Sequence, residues 1–412
     1  MTTSESYIDF WIEQLGLKGR GQPDLYMAGD VVTGAKHASA MRTAFAELDI
    51  SAFFCIQGIP TVAILFEPEP QQPRIDHLHK SLWNQGLASL LLIISTKEVR
   101  AYSLISKPIE NFEKSKDKRL IEILDLVTDS LEVLNLIPNV ESGRYFINNA
   151  ACFSTEQRVD NVLLGNLVEV HKRLIALDMT PSQTEALLMQ IMFLAYLEDR
   201  QIVTPDYIKS VSNDDNVISL ETLLKAGNVK LFNALFNRLN RDFNGDLFLS
   251  PCSFEQSKEC EITAIHLDLL WLFRSGMVEL ESGQGRFWPY DFSFIPVELI
   301  SAVYDRFLGI DPEDKRRTGA FYTPSFLASL TVNQSVEIIS HNRLLESSFL
   351  AIDPSCGSGI FLVQLFERIV EVWRLENNEE IPTWEFLIST VLKINGQDKD
   401  KRAVRVAAFS LY

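Results

Sequence analysis

Apolar residues recur with two periods along this chain, and the switches between them predict its elements. From Tyr7 to Leu15, Ile8, Trp11, Ile12 and Leu15 fall on one helical face. Phe53 to Ile56 and Thr61 to Phe66 read as two strands of a hairpin around Gln57-Gly58-Ile59-Pro60. Glu67-Pro-Glu-Pro-Gln-Gln-Pro is a proline-rich turn, and His77 to Gln85 looks helical. Ser89 to Ser95 is a continuous apolar strand, followed by Val99 to Leu104 in alternating register. Lys114 to Lys118 is a charged linker. Beyond it, Leu120 to Leu136 shows helical spacing through Ile121, Leu124, Leu126, Val127, Leu131 and Leu134.

From about Phe153 to Phe307 the pattern is mostly helical. Val159 to Leu177 and Ser182 to Arg200 read as long amphipathic helices, the second entered through Thr180-Pro181, a helix start signal. The charged end Glu198-Asp199-Arg200 reads as a salt-bridged helix terminus rather than a catalytic group. In the last part, Phe349 to Ile352 predicts a buried strand. A glycine turn follows, then a helix with Ile360, Phe361, Leu365, Phe366, Ile369, Val370 and Trp373 on one face.

That turn, Asp353-Pro-Ser-Cys-Gly-Ser-Gly359, carries the chemistry. A strand entering a helix through Gly-x-Gly brings backbone close to a ligand at the carboxyl edge of a sheet. The third glycine of a dinucleotide fingerprint is replaced by Leu362, and no Lys-Ser or Lys-Thr follows as in a phosphate-binding loop. Asp353 at the strand end suits a ligand with an amino group better than one with phosphates.

Composition narrows the reading. The 412 residues are 46% apolar and 23% charged, ordinary for a soluble globular protein of two or three domains. No apolar run reaches the length of a membrane span, and Met1-Thr-Thr-Ser-Glu-Ser lacks a signal-peptide pattern. Five scattered cysteines without a Cys-x-x-Cys pair point to a reducing cytoplasm and against a zinc site. The net charge of −17 argues against a complete DNA-binding protein, despite basic clusters at Lys315-Arg316-Arg317 and at Lys399, Lys401, Arg402 and Arg405.

Three stretches occur in the order of a known family. Asp353-Pro-Ser-Cys-Gly-Ser-Gly-Ile-Phe-Leu362 resembles motif I of the N6-adenine DNA methyltransferases, which bind S-adenosylmethionine. Arg317-Thr-Gly-Ala-Phe-Tyr-Thr-Pro324 resembles their motif X. Asn395-Gly-Gln-Asp398, with Ala403 and Ala407, resembles motif II. The runs Gln190 to Arg200, Phe243 to Phe248 and Asp291 to Ile300 resemble the helical domain of single-chain restriction–modification enzymes. The implied fold is α/β: a small α/β module at 1–115, a helical domain at 116–300, and the start of a Rossmann-like methyltransferase core at 301–412. Implied cofactor residues are Phe321, Tyr322, Thr323 and Pro324 at the methionine end, Asp353 for the amino group, and Asp398 for the ribose hydroxyls. Pro354, Cys356, Gly357, Gly359 and Phe361 form the turn, with Cys356 as a packing residue rather than a nucleophile.

The resemblance also implies an Asn-Pro-Pro-Tyr or Asn-Pro-Pro-Phe loop for a flipped adenine, and no Asn-Pro-Pro occurs. The expected function is therefore methylation of adenine N6 in double-stranded DNA within a restriction–modification or phage-defence system. This chain is expected to be inactive alone, as a fragment or one half of a split enzyme completed by a second chain. It is expected to bind S-adenosylmethionine weakly or not at all. The alternative is a non-catalytic docking or specificity-support subunit. The first module resembles the position of a nuclease domain, but its Asp and Glu-x-Lys signature is missing: Glu67 ends a strand, and position 69 is Glu. His77 and His79 read as satisfied surface or helix-cap histidines rather than metal ligands, so no metal site is expected.

Overall fold

The computed structural model describes residues 3–21, 24–108, 117–243, 246–248, 262–276, 289–308 and 323–411. Two compact units emerge, Met1–Val162 and Leu163–Tyr412. Residues 114–116 of the predicted linker and the basic run Lys315-Arg316-Arg317 lie outside the described residues, as do Phe321 and Tyr322.

The first unit is built on a sheet whose strands follow chain order: β1 (Leu25–Met27), β2 (Ala52–Ile56), β3 (Ile59–Phe66), β4 (Leu90–Ile94), β5 (Glu98–Ser103) and β6 (Leu120–Asp125). Neighbours are antiparallel except β3 and β4. Helix α1 (Thr3–Gln14) precedes β1, α2 (Ala38–Leu48) precedes β2, and α3 (Gln72–Gln85) makes the crossover the parallel pair requires. The hairpin turn is tighter than the sequence suggests. Gln57 and Gly58 alone form it, both at positive φ (53° and 76°), while Ile59 and Pro60 already pair with Ile56 and Cys55. Strand β4 has neighbours on both edges and no exposed residue, which is why it reads as one apolar run.

Alternation splits the sheet's side chains between two faces. Phe54, Val62, Ile64, Leu92 and Ala101 join a core with Trp11 of α1, Leu15 just after it, and Val133, Leu136, Ile137 and Val140 of α4 (Ser130–Glu141). Phe53 faces the other way, edge-on to Phe45 of α2 at 5.4 Å. A short helix, α5 (Arg144–Asn148), follows α4. The expected single helix from Leu120 to Leu136 is corrected here: Leu120–Asp125 is β6, paired with β5, and only Ser130 onward is helical. A short apolar run fits either period, and the open edge of β5 decides it.

In sequence, α6 (Val159–Ile175) spans the boundary between the units. Helices α7 (Pro181–Asp199), α8 (Pro205–Ser212), α9 (Leu220–Lys225), α10 (Val229–Asp242), α11 (Ala264–Arg274) and α12 (Val297–Leu308) follow. Thr180 caps α7 in a reciprocal box: its hydroxyl accepts the Gln183 N–H, and Gln183 Oε1 accepts the Thr180 N–H at 3.0 Å. Helix α7 is buried on every side from Gln183 to Ala195, so the amphipathic expectation is corrected. Its apolar residues encircle the helix, as a central helix requires. Its charged end is a polar clasp. Glu198 accepts the Leu220 N–H of α9, Asp199 accepts the Phe292 N–H, and Arg200 donates to Phe292 O and Ile295 O.

The unit continues through α13 (Ser325–Glu337), α14 (His341–Leu345), β7 (Ala351–Asp353), α15 (Ile360–Glu376), α16 (Trp384–Val391), β8 (Ile394–Gly396) and α17 (Lys401–Ser410). Strands β7 and β8 are parallel. The expected burial of the strand ending at Ile352 is also corrected. Ile352 is 69% exposed, because β7 pairs only with β8 among the described residues and its Ile352 face is uncovered.

Candidate functional site: the glycine turn between β7 and α15

The turn between Asp353 and Ile360 depends on two glycines in the left-handed region, Gly357 at φ 52° and Gly359 at φ 90°. Gly359 also meets a packing constraint. A Cβ there would stand 2.8 Å from Ala407 Cβ and 2.9 Å from Ala407 Cα, so α17 packs directly on the start of α15.

Backbone bonds lock the turn to the end of β8. Gln397 N–H donates to Asp353 O (2.9 Å), and Cys356 N–H donates to Gln397 O (3.0 Å). Ser355 N–H donates to Asp353 Oδ1 (3.0 Å) and Gly357 N–H to Asp398 Oδ2 (3.0 Å). The other oxygen of Asp398 accepts the Asp400 N–H (2.8 Å), and Asp400 in turn caps α17 by accepting the Arg402 N–H (2.9 Å). Each carboxylate oxygen carries two lone pairs, so Asp398 keeps capacity for further donors.

The structure brings together Asp353, Pro354, Cys356, Gly357, Gly359 and Asp398 at this junction. Pro354 is exposed at the mouth of the turn. Cys356 is buried and packs with Leu362, Ile369, Ile394 and Ala407. Burial, with the Asp353 and Asp398 charges, pushes its thiol up to about 11, so it is no thiolate nucleophile at neutral pH. Phe361 packs against the core of Val332, Val336, Leu344 and Val372, which joins α13 to α15. Thr323 and Pro324 stand just before α13, whose start is tied to α15 by Gln364 Nε2 donating to Ser325 O and Oγ at 3.3 Å each.

One participant escaped the sequence reading. Asp305 of α12 accepts the Ser358 hydroxyl at 2.6 Å, directly beneath the turn. Its signal in the sequence was faint: a carboxylate among the apolar residues Val303, Tyr304, Phe307 and Leu308, where an unpaired charge is costly. Burial pushes its carboxyl up to about 6, against the Ser358 hydrogen bonds and with help from Asp398 and Asp400. Burial also pushes the Asp400 carboxyl up, but the Arg402 guanidinium outweighs it and the net shift is downward. Arg402 is committed to Asp400 (2.9 Å) and to Glu185 of α7 (2.7 Å). The turn is therefore ringed by Asp305, Asp353, Asp398 and Asp400, a donor set that favours a cationic ligand and disfavours phosphate.

Among the described residues, no group of three or more His, Cys, Asp or Glu could hold a metal ion. Glu67 is paired with Arg74 at 3.1 Å. His77 is exposed, whereas His79 is fully buried with Nε2 at 2.8 Å from Ser103 O. His79 is thus a core residue, not the surface or helix-cap residue expected. No described helix is long and apolar enough to cross a membrane.

Residues 297–412 match the model of a family described as N-6 DNA Methylase. No curated protein matches the chain. Among solved structures, the chain is similar to one titled "cryoEM structure DrdV-DNA complex", with 10% identity, 99% of this chain and 38% of that chain covered, and a TM-score of 0.29. The chain thus spans well under half of that protein's length, and a likeness of this size carries no argument about site or partner.

Proposed function

We propose that residues 297–412 bind S-adenosylmethionine and that the chain serves N6-adenine methylation of double-stranded DNA in a restriction–modification or phage-defence system of the cytoplasm. The observation that carries this reading is the coincidence of the N-6 DNA methylase match with the acidic glycine turn between β7 and α15.

The donor set fits the cofactor. S-adenosylmethionine bears a sulfonium and an ammonium against a single carboxylate, and the turn is lined by carboxylates. Asp353 receives the ammonium with the oxygen lone pairs left after its bond to Ser355 N–H. Asp398 receives the ribose hydroxyls with the lone pairs left after Gly357 and Asp400. Gly357 and Gly359 allow the close backbone approach, and Pro354, Cys356 and Phe361 set the walls and packing of the turn. Thr323 and the N–H groups at the start of α13 suit the methionine carboxylate; Phe321 and Tyr322 complete that loop in the family pattern. When bound, the cofactor supplies the methyl group, and these residues hold and orient it.

The sequence has no Asn-Pro-Pro to accept the hydrogens of a flipped adenine amine. In this reading the chain binds cofactor without transferring the methyl group by itself. DNA contact and catalysis then come from a second chain or a further segment, consistent with the net charge of −17.

Calorimetric titration with S-adenosylmethionine tests the reading, with Asp353→Ala beside the natural sequence. Weak, saturable binding that disappears in a folded Asp353→Ala variant is expected. A folded natural chain that takes up no cofactor at millimolar concentration overturns it.

A further inference from the structure

We propose that Asp305 is a positioning residue: from α12 it clamps Ser358 and thereby holds the glycine turn in the shape that receives the ligand. The two residues lie 53 positions apart, and the Ser358 hydroxyl donates to Asp305 Oδ2 at 2.6 Å. Gly357 lies against that carboxylate too, since a Cβ there would stand 3.6 and 3.8 Å from the two Asp305 oxygens.

Ser358 has no exposed surface, so its hydroxyl has no water to replace Asp305. The clamp is one of a pair. Asp398 grips the Gly357 N–H from the end of β8, and Asp305 grips the next residue from α12. Consecutive residues of the turn are thus fixed by carboxylates from two different elements, neither of which is β7 or α15. Helix α12 is itself anchored, with Ile300, Val303, Tyr304 and Phe307 buried and Ser301 Oγ 2.9 Å from Ser410 Oγ of α17. Asp305 therefore sits on a rigid support, as a positioning group requires.

The clamp also carries charge. The titratable and charged groups facing Asp305 among the described residues are Cys356 of the turn, Asp398 and Asp400 beside α17, Arg402 behind Asp400, and Tyr304 on its own helix. With the carboxyl pushed up to about 6, Asp305 takes up a proton under mildly acidic conditions. Protonation weakens the charge-assisted bond to Ser358 and removes a negative charge from beside a site for a cation. Both effects lower ligand affinity in acid. Only the identity of the ligand rests on the proposed function; the clamp does not.

The test is hydrogen exchange of the full chain, following amides 353–362 in the natural sequence, Asp305→Asn and Ser358→Ala. S-adenosylmethionine titrations accompany it at about pH 5.5 and about pH 7.5, on either side of the Asp305 carboxyl. Turn amides are expected to exchange about tenfold faster in Ser358→Ala, the effect of losing one hydrogen bond to a charged group, and less so in Asp305→Asn, which keeps an acceptor oxygen but loses the charge. The amides of β2 to β4 should not change. Cofactor affinity of the natural chain should weaken severalfold in acid, while Asp305→Asn binds weakly and alike at both pH values. Should Asp305→Asn fail to fold, Ser358→Ala decides by itself. Unchanged turn exchange in folded Ser358→Ala overturns the clamp whether or not cofactor binds. Accelerated exchange in a natural chain that binds no cofactor supports the clamp and overturns only the cofactor reading.

Discussion

Gly357 N–H donates to Asp398 Oδ2 at 3.0 Å across 41 positions of sequence, so the acid just past β8 holds the turn that follows β7. The side chain assigned to a ligand is also part of the scaffold. Asp398→Ala leaves the N–H groups of Gly357 and Asp400 without their acceptor, and should cost the second unit about 1–3 kcal/mol. Asp398→Asn keeps an acceptor and should cost less. Urea unfolding followed by exchange of α15 and α17 amides measures both, and equal costs would contradict the scaffold role.

Two glycines near the turn respond differently to a methyl group. Gly359→Ala forces a non-glycine residue to φ 90° and drives its Cβ into the backbone of Ala407. It should destabilise by about 2–5 kcal/mol, from backbone strain plus overpacking. Gly396→Ala meets the movable Leu362 Cδ1 at 2.6 Å and Cys356 Sγ at 3.0 Å, and should cost less. Chemical denaturation of the two variants side by side ranks them, and the reverse order would be inconsistent with α17 packing directly on Gly359.

In the first unit, Arg119 is 1% exposed and bonds Asp117 at 2.9 and 3.0 Å and Asp76 at 2.7 Å. Arg119→Met leaves the part-buried Asp117 and Asp76 carboxylates without their buried partner and should cost about 2–4 kcal/mol. Thermal unfolding of the first unit is the readout. A change below about 1 kcal/mol, the level of a surface pair, would show that the cluster is solvated.

His79 makes the same unit sensitive to acid. Burial, reinforced by the Arg119 charge, pushes its imidazole down from 6.5 to about 3. The unfolded chain takes up this proton as pH falls through 6.5, while the folded chain resists until about 3. The stability due to neutral His79 is therefore present above 6.5 and is lost towards 3, at up to ~1.4 kcal/mol per pH unit. His79→Gln should be less stable than the natural chain at neutral pH yet lose less on acidification. Melting curves taken across that range should converge, and parallel curves would refute the assignment.

Local rules made much of this protein legible. Alternation and the Gln57-Gly58-Ile59-Pro60 run located the β2–β3 hairpin, the continuous apolar run marked β4, and Thr180-Pro181 marked the start of α7. The turn from Asp353 to Gly359 was readable because glycine spacing and a strand-to-helix change in period both lie within a dozen residues. What the sequence determined by itself was therefore most of the short-range elements and the glycine turn between β7 and α15. The tertiary structure alone decided that Leu120–Asp125 is a strand, because its partner β5 lies across the sheet. It alone decided that α7 is covered all round, that Ile352 stands open to solvent, and that His79 and Arg119 share a buried cluster. It alone placed Asp305 under Ser358, because a hydrogen bond between residues 53 positions apart leaves no periodic trace in either local stretch.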